Sequence, residues 1–459
     1  MNPKTYRNRR ETLRKNHPDG VILLPGQRDA PRNYPANAYR FRQDSSFLYY
    51  IGTDLPNMFA AILPEGETIL FGAPENPDDL VWHGPHPVLE DHAREAGVDK
   101  AMVMEDLWEM VSGWKKQGLN LHYLPPYRGE TTLLLANLLE HTPDEIAGGS
   151  SNGLAKAVSE QRSIKTPEEV AEIEEALSIS ALMYEKVLEL IQPGRTEAEI
   201  MGEIWGVHLK KDRYWSFPPI VSVHGEILHN TGYENTLEEG QLLLVDCGTE
   251  SRFYYASDIT RTYPVSGKFT PEQKDIYEVV LNSQLAAIEN ASPARSNKDL
   301  HLLAAKTIAA GLKDLGLMKG SVESAVENGA HALFFPHGLG HMLGLDVHDM
   351  EDLGDIVGYE EGESRSSQFG LAFLRLAKKL EPGFVISIEP GIYFVPALID
   401  QWQKKNHLSD FINYDKVQQY RGFGGIRIED DLLITENGSR VLGEPIPKTV
   451  AEIEQKLSR

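Results

Sequence analysis

Cysteine is almost absent: Cys247 is the only one in 459 residues. One thiol can neither close an intramolecular disulfide nor build a thiolate zinc site, so a disulfide-stapled fold and a zinc finger are both excluded. Long apolar runs are also lacking, and none approaches the ~18–20 residues that span a bilayer. The first fourteen residues are dense in Arg and Lys, but no apolar stretch follows them, which argues against a secretory signal peptide. Cationic surplus is missing too. Lys+Arg number 45 against 68 Asp+Glu, a formal net charge of −23, which disfavours nucleic acid and anionic membrane surfaces as partners. No internal repeat and no low-complexity tract occurs. What is present is an ordinary folding composition, 41 % apolar, 8 % aromatic and 25 % charged, long enough for about two or three domains. The expectation is an acidic, cytoplasmic protein.

Short apolar runs separated by turn residues fill the first third. Residues 21–24 before Pro25-Gly26, 47–51 before Gly52, and 60–63 before Pro64 predict buried strands. Helical patterns lie between them, which implies an α/β domain. Residues 148–153, Gly-Gly-Ser-Ser-Asn-Gly, are loop-like and place a boundary before Lys165, giving domains at 1–155 and 160–459. Thr166-Pro167-Glu168-Glu169 then opens a long helix. Thr166 is a good N-cap, Pro167 fits the first helical position, and Glu169 completes a capping box. Val170, Ile173, Leu177, Tyr184, Leu188 and Ile191 follow at helical spacing until Pro193-Gly194 stops the run. Thr196 with Glu199 and Thr270 with Gln273 repeat the same start signal. Residues 242–245, 384–388 and 426–428 predict strands, and each is followed directly by an acidic residue.

A carboxylate at a buried strand is costly unless paired, protonated or bound to metal. Asp246, Asp258, Glu389 and Glu429 occupy such positions. Between the two aspartates, residues 248–252 read as a hairpin turn; folding the chain near Ser251 and Arg252 sets Asp246 opposite Asp258, close enough to share a cation. His337-Gly338-Leu339-Gly340-His341 adds two imidazoles around a glycine-rich turn, and His348 follows within twelve residues. His83, His86 and His92, scattered among Pro, Glu and Asp, read as ordinary histidines. Four carboxylates and an imidazole suit Mn²⁺, with Fe²⁺, Co²⁺ or Zn²⁺ as alternatives. Two divalent ions neutralise the four carboxylates and can hold a bridging hydroxide for hydrolysis. Cys247, on the opposite face of its strand from Asp246, reads as a packing residue.

The ordered set Asp246, Asp258, His341, Glu389 and Glu429 resembles the ligands of the dinuclear metallopeptidases of the pita-bread fold, which include methionine aminopeptidase, aminopeptidase P and prolidase. The flanking words carry the likeness: Val245-Asp246-Cys247-Gly248, Ser257-Asp258-Ile259-Thr260-Arg261, Val347-His348-Asp349, Ile388-Glu389-Pro390-Gly391 and Arg427-Ile428-Glu429-Asp430-Asp431. It runs from Thr166 to the C-terminus. Residues 40–52 resemble the N-terminal domain of the aminopeptidase P and prolidase branch, which sets methionine aminopeptidase aside, and the intact ligand set argues against the metal-free creatinase branch.

The resemblance implies an α/β N-terminal domain, a pita-bread catalytic domain, a homodimer, and hydrolysis of Xaa-Pro bonds in di- or oligopeptides. One ion would take Asp246, the other His341 and Glu389, with Asp258 and Glu429 bridging. Glu389 would serve as general base, His337 and His348 would steady the tetrahedral intermediate and the leaving nitrogen, and His229 would bind substrate. Arg427 would orient carboxylates. Arg375 matches the arginine with which prolidases take the carboxylate of proline, a solvated arginine being the alternative; residues 392–400 and 420–425 are also closer to prolidase, while the N-terminal domain looks at least as much like that of aminopeptidase P. Trp82 matches an aromatic that the family extends into a partner's site, a packed tryptophan being the equal alternative. The reading leans to an Xaa-Pro dipeptidase. An Xaa-Pro aminopeptidase acting on longer peptides is the alternative, and a non-catalytic binding protein on the same fold is the rival of another class.

Overall fold

The computed structural model describes residues 1–74, 79–82, 84–85 and 87–458. His83 and His86 lie outside the described residues. The chain divides into two compact units: Met1–Arg162 with Met350–Val357, and Ser163–Asp349 with Gly358–Arg459.

In the first unit, β1 (Val21–Pro25), β2 (Phe59–Ile62), β3 (Thr68–Gly72), β4 (Lys100–Val103) and β5 (Leu121–His122) form one mixed sheet in the order β4-β3-β2-β1-β5. β2 runs antiparallel to both neighbours, while β3 with β4 and β1 with β5 are parallel. Alternate residues Val21, Leu23, Phe59, Ala61, Ile69 and Phe71 share one core with Leu107, Val111 and Trp114 of the helix Asp106–Lys116. The intervening Ile22, Leu24, Ala60 and Leu70 are buried as well, which is why these strands read as unbroken apolar runs.

The run 47–51 is a helix, Ser45–Tyr50, and not a strand. Asp44 caps it by accepting the Phe47 N–H at 2.8 Å, and all six residues are buried. A short segment that is apolar all round looks alike as buried strand or buried helix, and the cap decides it. Its last carbonyls are met by the basic N-terminal helix Pro3–Asn16: Arg9 donates to the Tyr49 carbonyl at 3.0 Å and Arg10 to that of Tyr50 at 2.7 Å. The arginine-dense start of the chain is therefore part of a packed helix end.

In the second unit the helices Pro167–Leu190, Glu197–Lys210 and Pro271–Asn290 begin at Thr166, Thr196 and Thr270, each closed by the expected capping box. Three small sheets follow: β6 (Ile220–Ser222), β7 (Leu242–Cys247) and β8 (Ile259–Pro264); β9 (Val385–Ile388) with β12 (Asp430–Ile434) and β13 (Ser439–Val441); and β10 (Gly391–Tyr393) with β11 (Gly425–Arg427). The Glu429 N–H donates to the Thr260 carbonyl at 3.0 Å, joining β8 to the β11–β12 junction.

The β7–β8 turn differs from expectation by one residue at its centre. Asp246 pairs with Thr260, so Asp258 stands diagonal to it on the same face. The loop is closed by the Ser251 N–H donating to the Tyr255 carbonyl at 2.8 Å, with Tyr254 left-handed at φ 68°. That five-residue closure moves the fold to Phe253. A diagonal pair can still face one cation while easing the repulsion of two adjacent carboxylates.

Candidate metal centre

Asp246 lies near the end of β7, Asp258 just before β8, Glu389 just after β9, and Glu429 between β11 and β12. His341 arrives on an irregular segment beside β9. The His341 N–H donates to Ser387 Oγ at 3.1 Å, the Ser387 N–H to the His341 carbonyl at 3.0 Å, and the Glu389 N–H to the Leu339 carbonyl at 2.8 Å. Gly340 permits this approach, since a Cβ there would stand 1.9 Å from the Ser387 carbonyl oxygen.

Nδ1 of His341 faces the Met342 carbonyl at 3.0 Å. Donation there leaves the lone pair on Nε2, which lies 3.3 Å from Asp258 Oδ2 and 3.5 Å from Glu389 Oε1. That is the tautomer a metal ligand needs. Ligand atoms of Asp258, His341 and Glu429 all lie within 4.8 Å of one another. Asp246 Oδ1, Asp258 Oδ1 and Glu429 Oε1 are buried without a hydrogen-bond partner among the described residues. Burial, then the charge of Asp246, pushes the Asp258 carboxyl well above its usual range. Burial, then Asp258, does the same to Glu429, and burial raises Glu389 to about 7. Orphaned acceptors converging on one imidazole lone pair fit divalent cations, which supply the missing positive charge and the missing partners together.

A proton-ordered chain frames the carboxylates. Arg427 donates from Nη2 to Asp246 Oδ2 at 2.5 Å, from Nε to Thr260 Oγ1 at 3.1 Å, and from Nη1 to the Tyr393 hydroxyl at 2.9 Å. Thr260 in turn donates to Glu429 Oε2 at 2.6 Å. The Tyr393 hydroxyl lies 2.8 Å from His337 Nε2, and His337 Nδ1 lies 2.8 Å from the Gly338 carbonyl. With Nδ1 donating to that carbonyl, Nε2 accepts from Tyr393 and the ring is neutral. Burial, then Arg427, lowers its pKa to about 3, in agreement. Asp431 accepts the Asp258 N–H at 3.0 Å, and Asp430 ties down Arg261 at 2.7 Å.

The expected metal, catalytic and substrate residues other than Trp82 line one cavity. A cavity of about 600 Å³ is lined by all five acid and imidazole positions, by His229, His337, His348, Arg375 and Arg427, and by apolar Phe217, Ile220 and Leu228. His348 packs edge-on against His341, ring centroids 4.3 Å apart. Burial first, then Arg427 and Arg375, lower the pKa of His229. Cys247 is buried and its thiol is pushed far up by burial, which suits a packing role. Trp82, in the first unit, is 78 % exposed.

Sequence reasoning missed Tyr393, Thr260 and Asp431 as members of the site. A signal for Tyr393 existed: Gly391 sits two residues earlier on the same strand face, and a Cβ there would stand 2.4 Å from the Tyr393 hydroxyl. A glycine two before a tyrosine in a strand is a mark of a ring crossing that face.

Residues 171–436 match metallopeptidase family M24, and residues 6–122 match the aminopeptidase P N-terminal domain. The chain is 32 % identical over 456 residues to an Xaa-Pro aminopeptidase of Haemophilus influenzae, covering 96 % of this chain and 94 % of that protein. It is also 32 % identical over 458 residues to the human Xaa-Pro dipeptidase, covering 97 % and 90 %. Among solved structures, aminopeptidase PepP of Pseudomonas aeruginosa superposes with a TM-score of 0.82 at 30 % identity, covering 100 % of this chain and 98 % of that one. A zinc-substituted Escherichia coli aminopeptidase P in complex with product gives 0.83 at 29 % identity over the same shares.

Proposed function

The chain belongs to metallopeptidase family M24, and from that premise we propose that it is a dinuclear-metal exopeptidase hydrolysing the Xaa-Pro bond, with dipeptides as its preferred substrates. The observation that carries this reading is the convergence of Asp246 Oδ1, Asp258 Oδ1 and Glu429 Oε1, all buried and unpartnered, on a cavity that also holds Arg375. Asp246 would hold one ion, His341 and Glu389 the other, and Asp258 and Glu429 would reach both. Bound there, two divalent cations, Mn²⁺ first among those this oxygen-rich set favours, supply charge to polarise the scissile carbonyl and to acidify the attacking water.

The rest falls to the chain's own side chains. Glu389, which burial raises to about 7, receives the proton of the attacking water as general base. His348, against His341, attends the nitrogen that leaves on proline. Neutral His337, held by Tyr393, lines the space where the tetrahedral oxygen develops, and His229 contacts the substrate. Arg427 fixes Asp246 and, through Thr260, Glu429. Arg375 receives the carboxylate of proline, which selects dipeptides.

The second reading is an Xaa-Pro aminopeptidase, favoured by Phe373, which lines the same cavity beside Arg375 and is 51 % exposed. A side-by-side assay of Ala-Pro and Ala-Pro-Gly with Mn²⁺ separates the two. Faster turnover of Ala-Pro, lost more than tenfold in Arg375→Ala while Ala-Pro-Gly changes less, supports the dipeptidase; equal or faster turnover of Ala-Pro-Gly overturns it. A cytoplasmic homodimer completes the proposal, and sedimentation of the purified chain checks its oligomeric half.

A further inference from the structure

Burying a phenylalanine contributes about 1.5–3 kcal/mol, so two left side by side in water ask for an explanation that folding does not give. Phe373 lines the cavity two residues before Arg375 and is 51 % exposed, and Phe369 beside it is 40 % exposed. Their rings meet edge to face with centroids 5.9 Å apart at 88°. Phe369 in turn meets Trp402 at 6.1 Å. Trp402 is buried on the helix Pro396–Lys404 and rests on His407 at 4.6 Å. Aromatic surface thus runs without a break from the cavity wall outward, its far end founded on a buried indole.

The segment that carries these rings is fixed at both ends. The Tyr359 hydroxyl donates to the Leu374 carbonyl at 2.6 Å, and Arg365 reaches the same oxygen at 3.4 Å. Gln368 donates to the Glu327 carbonyl at 3.0 Å, and the Ala372 N–H to the Gln368 carbonyl at 2.8 Å. A backbone held in this way presents its rings from a fixed position, so binding orders less of the chain and the contact area converts into affinity with smaller entropic loss.

We propose that Phe373 and Phe369 form a subsite for the residue that follows proline, and that this subsite prefers an aromatic side chain. The inference rests on the peptidase reading above, in which Arg375 faces the carbonyl end of proline. In a longer peptide that carbon continues into the next residue instead of ending as a carboxylate, and the wall met next to Arg375 is Phe373. An aromatic side chain there gains both area and edge-to-face geometry, an aliphatic one gains area alone, and glycine gains neither. Dipeptides are selected by charge at Arg375, and longer peptides by the ring that succeeds it.

The experiment compares Ala-Pro, Ala-Pro-Gly, Ala-Pro-Leu and Ala-Pro-Phe on the Mn²⁺-loaded full chain, as wild type, Phe373→Ala, Phe373→Trp and Phe369→Ala. The expected kcat/KM for Ala-Pro-Phe exceeds that for Ala-Pro-Gly by about two- to tenfold, carried by KM. The ratio falls to about one in Phe373→Ala, survives in Phe373→Trp, and shrinks partway in Phe369→Ala. Equal rates for the three tripeptides in the wild type overturn the subsite, as does a ratio unchanged in Phe373→Ala. Cleavage of Ala-Pro with no tripeptide turnover also overturns it and leaves the peptidase reading standing. Failure to cleave any of the four peptides defeats the peptidase reading itself.

Discussion

The Lys165 ammonium meets Asp349 Oδ2 at 2.9 Å with both side chains 1 % exposed. The pair sits one residue from His348, and Asp349 Oδ1 also accepts the Asp346 N–H at 3.4 Å. Lys165, ahead of the cap of the helix Pro167–Leu190, thereby braces the turn that presents His348 to His341. Leaving one member of such a buried pair alone costs about 3–5 kcal/mol, whereas replacing both by apolar groups of similar volume is near neutral. Lys165→Met should therefore lower the unfolding free energy by that amount, and Lys165→Met with Asp349→Leu should recover most of it. Denaturant titration of the metal-loaded chain checks both. A double variant no more stable than Lys165→Met contradicts the pairing.

Arg427 is not replaceable by lysine. Its three nitrogens serve Asp246, Thr260 and Tyr393 at once, and an ammonium has no fixed fork to do so. Loss of partners that orient metal ligands typically weakens metal binding 10–100-fold. Arg427→Lys should raise the Mn²⁺ dissociation constant by about that factor, with activity partly restored at high Mn²⁺. Tyr393→Phe should retain Mn²⁺ binding within a few-fold and lower kcat, since it frees His337 Nε2 from its donor. Metal titration with parallel kinetics decides this, and an Mn²⁺ affinity untouched in Arg427→Lys would sink the idea.

Much of this was legible because the chemistry is local. Capping boxes at Thr166, Thr196 and Thr270 announce their helices in four residues each, and a carboxylate terminating an apolar strand is conspicuous by its cost. What stayed hidden depends on distant partners. Lys165 and Asp349 are 184 positions apart, and no period or motif length connects them. The run 47–51 deceived because an all-apolar segment has no face to report its period. The diagonal offset of Asp246 and Asp258 turned on one left-handed residue, Tyr254, a conformation that its residue type gives no reason to expect.

Cation binding should contribute reversibly to the stability of the second unit. At a hundredfold excess over its dissociation constant a ligand adds about 2.7 kcal/mol, so chelation should lower the melting temperature and Mn²⁺ should restore it. Asp258→Asn should abolish that response and activity together. In the chelated state the same variant should melt above the wild type, because it removes a carboxylate that Asp246, Glu389 and Glu429 repel. Calorimetry of both proteins with and without Mn²⁺ provides the check. A chelated variant that melts below chelated wild type contradicts that crowding of carboxylates.

His301 and His331 are among the buried histidines that weaken the fold in acid. Both are fully buried, neither ring has a hydrogen-bond partner for either nitrogen among the described residues, and their centroids lie 6.2 Å apart. Burial, then His331 and His337, lowers the pKa of His301 to about 3, and burial lowers that of His331 to about 4. Each is therefore neutral when folded but free to protonate below about 6.5 when unfolded, so stability is complete above that pH and is lost as the pH falls toward the folded values. At about 1.4 kcal/mol per pH unit per group, His301 alone should remove about 3 kcal/mol by pH 4. Phe335 lies 5.2 Å from its ring, so His301→Phe retains an aromatic fit while deleting two unsatisfied nitrogens. That variant should be as stable as wild type or more so at pH 7, and its unfolding free energy should fall less steeply between pH 6.5 and 4, by about one proton's worth of slope. Urea titrations across that range, in matched buffers with the metal removed from both proteins, measure the difference directly; parallel slopes would show that His301 protonates as readily in the folded chain as in the unfolded one.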